Sequence, residues 1–205
     1  MAPKRVAVFI DYQNVYRSAR RTFGLDHGPH WEGQVHPQRL GLVLKGVGDD
    51  SRELVAVRVY RGMPSSRHDS RGYGAASRQI AAWRSQASTT VIVRPLRYPR
   101  SYPSDPPQEK GIDVCIALDY VMMALHDEYD VGVLFSADTD LIPALEVVAR
   151  ERGPSSCEVA AWKAADGPAR RLRIKSANIW CHLLTLSRYK HVHDPTDYNV
   201  ASPRR

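Results

Sequence analysis

The residues of this chain whose types and spacing could do chemistry are acids at the ends of apolar runs. In VAVFIDYQN, residues 6–14, five apolar residues lead straight into Asp11, and the amide of Asn14 follows three positions later. The run is short, rich in β-branched residues and without a 3.6-residue polar period. It therefore reads as a strand buried on both faces, with Asp11 at its carboxyl end. VLFSADTDL, residues 133–141, repeats the arrangement, an apolar strand running into Ser136, Asp138 and Asp140 at a strand-to-helix turn. A further acid, Asp113, opens an apolar helical pattern just after Lys110-Gly111-Ile112. Each acid has a plain explanation, because short polar side chains satisfy the free N–H groups of a helix start and an acid is favoured near its positive end. Two carboxylates bracketing one residue nevertheless exceed what a cap requires.

The elements that must position these acids alternate along the chain. Strands are expected at 6–11, 53–62, 89–96, 131–136 and 157–162, and helices at 14–23, 37–46, 75–87, 112–128 and 139–153. Gly153 ends the last of these helices. Short all-apolar strands alternating with helices specify an α/β fold, a mainly parallel sheet of about five strands covered by helices on both faces. Residues 163–189 are expected to add helical cover, with RRLRIK (170–175) as a solvated helix face. Residues 1–190 read as one domain and 191–205 as a loose tail. In an open parallel sheet, ligands collect outside the carboxyl ends of the strands, so Asp11, Asp113, Asp138 and Asp140 are expected to converge there. Carboxylates crowded at one edge repel one another, and a hard divalent cation with oxygen ligands relieves that cost. No Cys or His stands with them to select a softer metal, so Mg²⁺ or Mn²⁺ is the cofactor expected. Ser136 would contact metal-bound water or phosphate, and Asn14 would orient Asp11. Asp119 lies on the stripe of Ile112, Cys115, Ile116 and Met122, where a carboxylate needs a partner. Its two readings are support for the site or a partly solvated helix edge.

The 205 residues are 43% hydrophobic and 25% charged, enough for one well-buried domain. The formal charge of +7 favours polyanionic partners. No apolar run reaches the ~18 residues of a membrane span and the start lacks a cleavable signal layout, so a cytoplasmic protein with no membrane partner is expected. Self-association is left open. Cys115, Cys157 and Cys181 form no CxxC and sit in apolar runs, so they read as small core residues.

FIDYQN, KGIDVCIALD and FSADTDLIPALEVVARERG, in this order, resemble the NYN domain, a branch of the PIN-like nuclease superfamily. The resemblance covers roughly residues 4–162. It implies a PIN-like three-layer α/β/α sandwich and metal-dependent cleavage of RNA, single-stranded or structured. By matching motifs, Asp11, Asp113, Asp138 and Asp140 take the acidic positions, Asn14 the amide after the first acid, and Asp119 the second acid of the KGxD helix. Ala137 stands where a glycine is common, and Leu141 where Phe is frequent.

Substrate grip is expected from the proline-rich stretch 97–110 and its flanks. There Arg94, Arg97, Arg100 and Lys110 are interleaved with Tyr98 and Tyr102, a mixture suited to phosphate pairing and base stacking. The plain alternative is a solvated surface loop. HVHD (191–194) lacks the further ligands of a metal site, and the GYG of residues 72–74 follows no strand, so neither is taken as a site. Two rival readings stay open. One is a phosphatase or phosphotransferase with Asp138 as nucleophile and Asp140 as acid, which leaves Asp11 without a role. The other is a catalytically silent PIN-like module for RNA binding or assembly.

Overall fold

The computed structural model describes residues 2–46 and 48–200. Its strands are β1 (Lys4–Asp11), β2 (Arg52–Met63), β3 (Thr89–Pro95), β4 (Val131–Phe135), β5 (Cys157–Trp162) and β6 (Trp180–Leu184). Among the described residues they form one parallel sheet in the order β3-β2-β1-β4-β5-β6, one strand wider than the sequence suggested. The helices are α1 (Tyr12–Phe23), α2 (Pro37–Lys45), α3 (Ser70–Arg84), α4 (Ile112–Leu125), α5 (Ile142–Arg152) and α6 (Leu186–Val192).

Side chains alternate across a strand, and β1 uses the alternation to join two cores. Val6, Val8 and Ile10 face a layer built from α1, α2, α3 and α6 through Val15, Leu40, Trp83 and Tyr189. Ala7 and Phe9 face α4 and α5 through Ile116, Tyr120, Leu145 and Val148. The result is a three-layer α/β/α sandwich. Phe9 packs edge-on to Tyr120 and Tyr129 at 5.0 and 5.7 Å between centroids. Gly132 on β4 makes room for them, since a Cβ there would stand 2.7 Å from Tyr120 and 2.8 Å from Tyr129.

Three elements differ from expectation. Residues 163–179 form no helix; Leu172 and Ile174 are buried while Arg173 and Lys175 are exposed, a period of two that belongs to extended chain. β6 follows as a short edge strand, and only α6 supplies helical cover in this region. Helix α3 begins at Ser70, earlier than expected, because Asp69 caps it by accepting from the Gly72 N–H at 2.8 Å. Residues 193–200 are tied down: His193 bridges to Val35, buried Asp194 accepts from Tyr198 Oη (2.9 Å), and the Tyr198 carbonyl accepts from Arg78 (2.8 Å). Residues 201–205, the rest of the expected tail, lie outside the described residues. Among the described residues no helix is long and apolar enough to cross a membrane. Cys157 and Cys181 are buried as expected, and Cys115 is half-buried.

Candidate active site

The chain winds outward from β1 to β3, then returns to β4 on the other side of β1. The crevice at the carboxyl ends of β1 and β4 is thus the topological switch point, where α/β sheets bind ligands. Register decides what stands there. Ile10 pairs with Phe135, which sets Asp11 beside Ser136. Ser136 Oγ donates to Asp11 Oδ2 (2.8 Å) and accepts from the Asp138 N–H (3.0 Å). Asn14, in the first turn of α1, accepts from the Ala137 N–H through Oδ1 (3.1 Å), so the two strand ends are laced together.

Asp11 and Asp138 are both caps and more than caps. Asp11 accepts from the Asn14 N–H (3.3 Å) at the start of α1, and Asp138 from the Asp140 N–H (3.0 Å) at the turn of residues 139–141. Both also line a pocket of about 420 Å³ together with Glu109. Glu109 accepts from the Gly62 N–H (2.5 Å). Gln13 continues the chain: with its amide nitrogen toward Glu109 it donates to both carboxylate oxygens (2.9 and 2.8 Å), and its oxygen accepts from Arg17 Nη2 (2.5 Å). Burial pushes the Asp11 carboxyl up to about 6, against the hydrogen bonds from Ser136 and Asn14 and with help from the charges of Glu109 and Asp138. Burial likewise raises Glu109. Arg17, Arg21 and Arg170 line the same pocket, and among the described residues none of them is in an ion pair.

Of the four acids expected together, Asp11 and Asp138 line this pocket and Asp113 and Asp140 do not. Asp140 is exposed in its tight turn, and Asp113 sits in the first turn of α4, beyond the left-handed Gly111 (φ 73°). Asp119, read as either support for the site or a partly solvated helix edge, anchors α4 to β2 with its side chain 33% exposed. Its Oδ2 accepts from Arg58 Nη2 (2.6 Å) and Tyr60 Oη (2.7 Å), partners for a carboxylate at the edge of an apolar stripe. Arg94, on β3, and Arg97, Arg100 and Lys110 of the following loop are exposed, and neither they nor Tyr98 and Tyr102 line the acidic pocket. Tyr98 and Tyr102 are spent on packing, with ring centroids 4.9 Å apart and each against His68 at 4.6 and 5.8 Å.

Glu109, Arg17 and Arg21 were missed in the sequence, and Arg170 was read as part of a solvated helix face. Glu109 was hidden in a stretch read as loop, although it stands two residues before Gly111. Gln13, Arg17 and Arg21 follow at intervals of four, a polar stripe on α1 that helical spacing could have revealed.

The family model of the NYN domain matches residues 5–173. The chain belongs to the NYN domain family. Its architecture is accordingly a PIN-like nuclease fold, with the central sheet and helical layers described above. The solved structure of a protein of unknown function from Vibrio parahaemolyticus RIMD 2210633 is similar at a TM-score of 0.50 and 19% identity, over 78% of this NYN domain chain and 82% of that one. At that identity the likeness speaks for the fold. No curated protein is similar enough in sequence to count as a relative.

Among the described residues of this NYN domain, no three His, Cys, Asp or Glu side chains are grouped closely enough to hold a metal ion by themselves. The pocket instead offers carboxylate oxygens with room for water and phosphate. That donor set fits Mg²⁺, which is commonly held by one or two carboxylates plus waters and substrate phosphates rather than by an all-protein cage.

Proposed function

We propose that this NYN domain is a metal-dependent ribonuclease that cleaves RNA phosphodiester bonds in the pocket of Asp11, Glu109 and Asp138. One observation carries the reading: at the switch point, buried Asp11 and the half-buried Glu109 and Asp138 line one pocket with Arg17, Arg21 and Arg170, and among the described residues none of the six is in an ion pair. The acids suit a cation and the arginines suit the phosphates that travel with it.

Asp11 and Asp138 would hold Mg²⁺ or Mn²⁺, with Glu109 close by, and a cation there would offset phosphate charge and lower the pKa of water. The chain's own groups divide the remaining work. Ser136 fixes the Asp11 carboxylate through its Oγ–H, and Asn14 keeps the β4 turn at the distance that brings Asp138 to the pocket. Arg17, Arg21 and Arg170 pair with phosphate oxygens and orient the strand. Glu109, held by the Gly62 N–H and the Gln13 amide, accepts a proton readily because burial disfavours its charge. Asp113 and Asp140 take supporting places outside the pocket, at the start of α4 and in the turn after β4.

The test is cleavage of a labelled single-stranded RNA with Mg²⁺ or Mn²⁺, compared between the parent and Asp138→Asn. Metal-dependent cleavage lost in the variant is expected. RNA affinity that is indifferent to metal, with no cleavage by the parent, would assign the domain to a silent RNA-binding module instead, and a phosphoaspartate trapped at Asp138 would assign it to phosphotransfer.

A further inference from the structure

We infer that a second cavity, on the other flank of α1, receives one nucleotide of the bound strand, its phosphate on Arg61 and its base against the aromatic wall. The inference rests on the ribonuclease reading for the strand itself, but the cavity's chemistry stands apart from it. The cavity is about 300 Å³, at the small end of the range of about 300–1,000 Å³ typical of ligand pockets. Gln13 and Glu109 line both it and the acidic pocket, so the two are adjoining stations on one path.

Arg61, near the end of β2, is the cavity's unusual member. Its guanidinium lies 5.3 Å from the Tyr12 ring centroid and 5.7 Å from that of Trp83. It donates to Gln79 Oε1 through Nη1 and to the Gly62 carbonyl through Nε (3.3 Å), and among the described residues Nη2 has no hydrogen-bond partner. No carboxylate forms an ion pair with it among the described residues. Burial pulls its pKa down, against the charge of Glu109, and an anion held on the guanidinium offsets that burial. With Nε and one Nη1 donor engaged, the Nη2 side of the planar fork is left to meet a phosphate oxygen.

The rest of the wall is built for a flat group. Tyr12 and Tyr16 stack at 6.2 Å, exposed His30 also lines the cavity, and α3 adds the small residues Gly72, Ala75 and Ala76 to its lining. Gln79 is fixed by donating to Tyr12 Oη (2.9 Å) and to Gln34 Oε1, so Arg61 is held in place by a neutral partner, with Glu109 on the same wall but in no ion pair with it. A guanidinium outside any ion pair and beside aromatic side chains is the chemistry that grips a nucleoside phosphate.

The same chemistry would serve a free nucleotide, and binding measured on the metal-free full chain separates the two sources. Adenosine 5′-monophosphate is expected to bind at least ~10-fold more tightly than adenosine and to displace a short RNA; Arg61→Gln should lose that ~10-fold preference. Ala75→Leu, which narrows the cavity from α3 and leaves Arg61 intact, should weaken binding in a protein of unchanged thermal stability. Equal nucleotide binding by the parent and by folded Ala75→Leu and Arg61→Gln overturns the inference, even if the parent cleaves RNA. Arg61-dependent nucleotide binding that fails to displace RNA overturns the strand assignment. Arg61-dependent binding that displaces RNA, in a protein that cleaves nothing, upholds the pocket while the ribonuclease reading falls.

Discussion

At the amino edge of the sheet, Asp130 accepts from Arg5 Nη2 at 2.8 Å, Asp127 sits between Arg5 (3.2 Å) and Arg152 (2.7 Å), and Glu158 joins Arg52 (2.5 Å) to His182 (2.6 Å). At the carboxyl edge, Asp11, Glu109 and Asp138 have no ion pair among the described residues, while Arg17, Arg21 and Arg170 stand nearby with none either. The same chemical groups therefore serve two ends. Hydrogen bonds from Arg5 and Arg152 hold Asp130 and Asp127 below the usual carboxylate range, whereas burial pushes Asp11 and Glu109 above it. An acid at a strand end is ambiguous by position alone; whether the fold gives it a cation decides if it holds the structure together or is kept for a ligand.

The comparison breaks most visibly at Asp138. Asp138→Asn keeps the cap at the turn of residues 139–141 and removes charge from the pocket. Metal-dependent RNA cleavage should fall at least ~10²-fold, and the metal-free variant should melt no lower than the parent. Added Mn²⁺ should raise the melting temperature of the parent more than that of the variant. Loss of folding in the variant would put Asp138 with the structural acids of the opposite edge.

At the amino edge the sign reverses. Glu158→Gln leaves Arg52, a largely buried cation, without its counter-ion, which should cost about 3 kcal/mol, or roughly 6–12 °C in Tm for a chain of this size. Thermal unfolding checks it, and an unchanged Tm would erase the contrast between the edges.

Asp11 gives the pH dependence. Its folded pKa of about 6 lies above its ordinary 3.8, so the folded state binds more protons than the unfolded chain between those values. Stability is therefore lost as pH rises through that window, up to about 3 kcal/mol from this group. Asp11→Asn should gain part of that at pH 8 and none below pH 4, less what its altered hydrogen bond to Ser136 costs. Denaturant curves at the two pH values measure it; equal effects at both would remove Asp11 from the strained set.

The sheet was legible because five strands announce themselves as short apolar runs, and the switch point follows from their alternation with helices. β6 was not, since His182 interrupts the apolar run of a short edge strand, and the apolar Trp180 and Leu183 are exposed rather than buried, so neither run nor alternation marks it. α4 is apolar nearly all round, so spacing could not pick its buried face: Met122 is 45% exposed while Tyr120 and Met123 are buried. Asp11, Asn14, Ser136 and Asp138 could be placed because neighbouring parallel strands bring their ends together. Glu109 could not, because a loop residue reaches a pocket through tertiary contacts such as that with the Gly62 N–H, which leave no period in the sequence.

The smallest effect separates the two groups of arginines. Each phosphate contact on single-stranded nucleic acid contributes about 0.7 to the slope of log K against log salt. Arg21 and Arg170 line the acidic pocket, so replacing both by Ala should flatten the slope by about 1.4. Arg97 and Arg100 lie on the loop closed by the Arg97–Gln108 bridge, whose tyrosines are occupied with His68. Their double replacement should flatten the slope by no more than about 0.7, a single contact made from outside the pocket. Kd values for a short RNA between 50 and 200 mM salt, a range suited to such slopes, decide between them. Equal flattening by both pairs would carry the strand's path from the acidic pocket onto the loop and make the unpaired arginines of the pocket one part of a longer basic track.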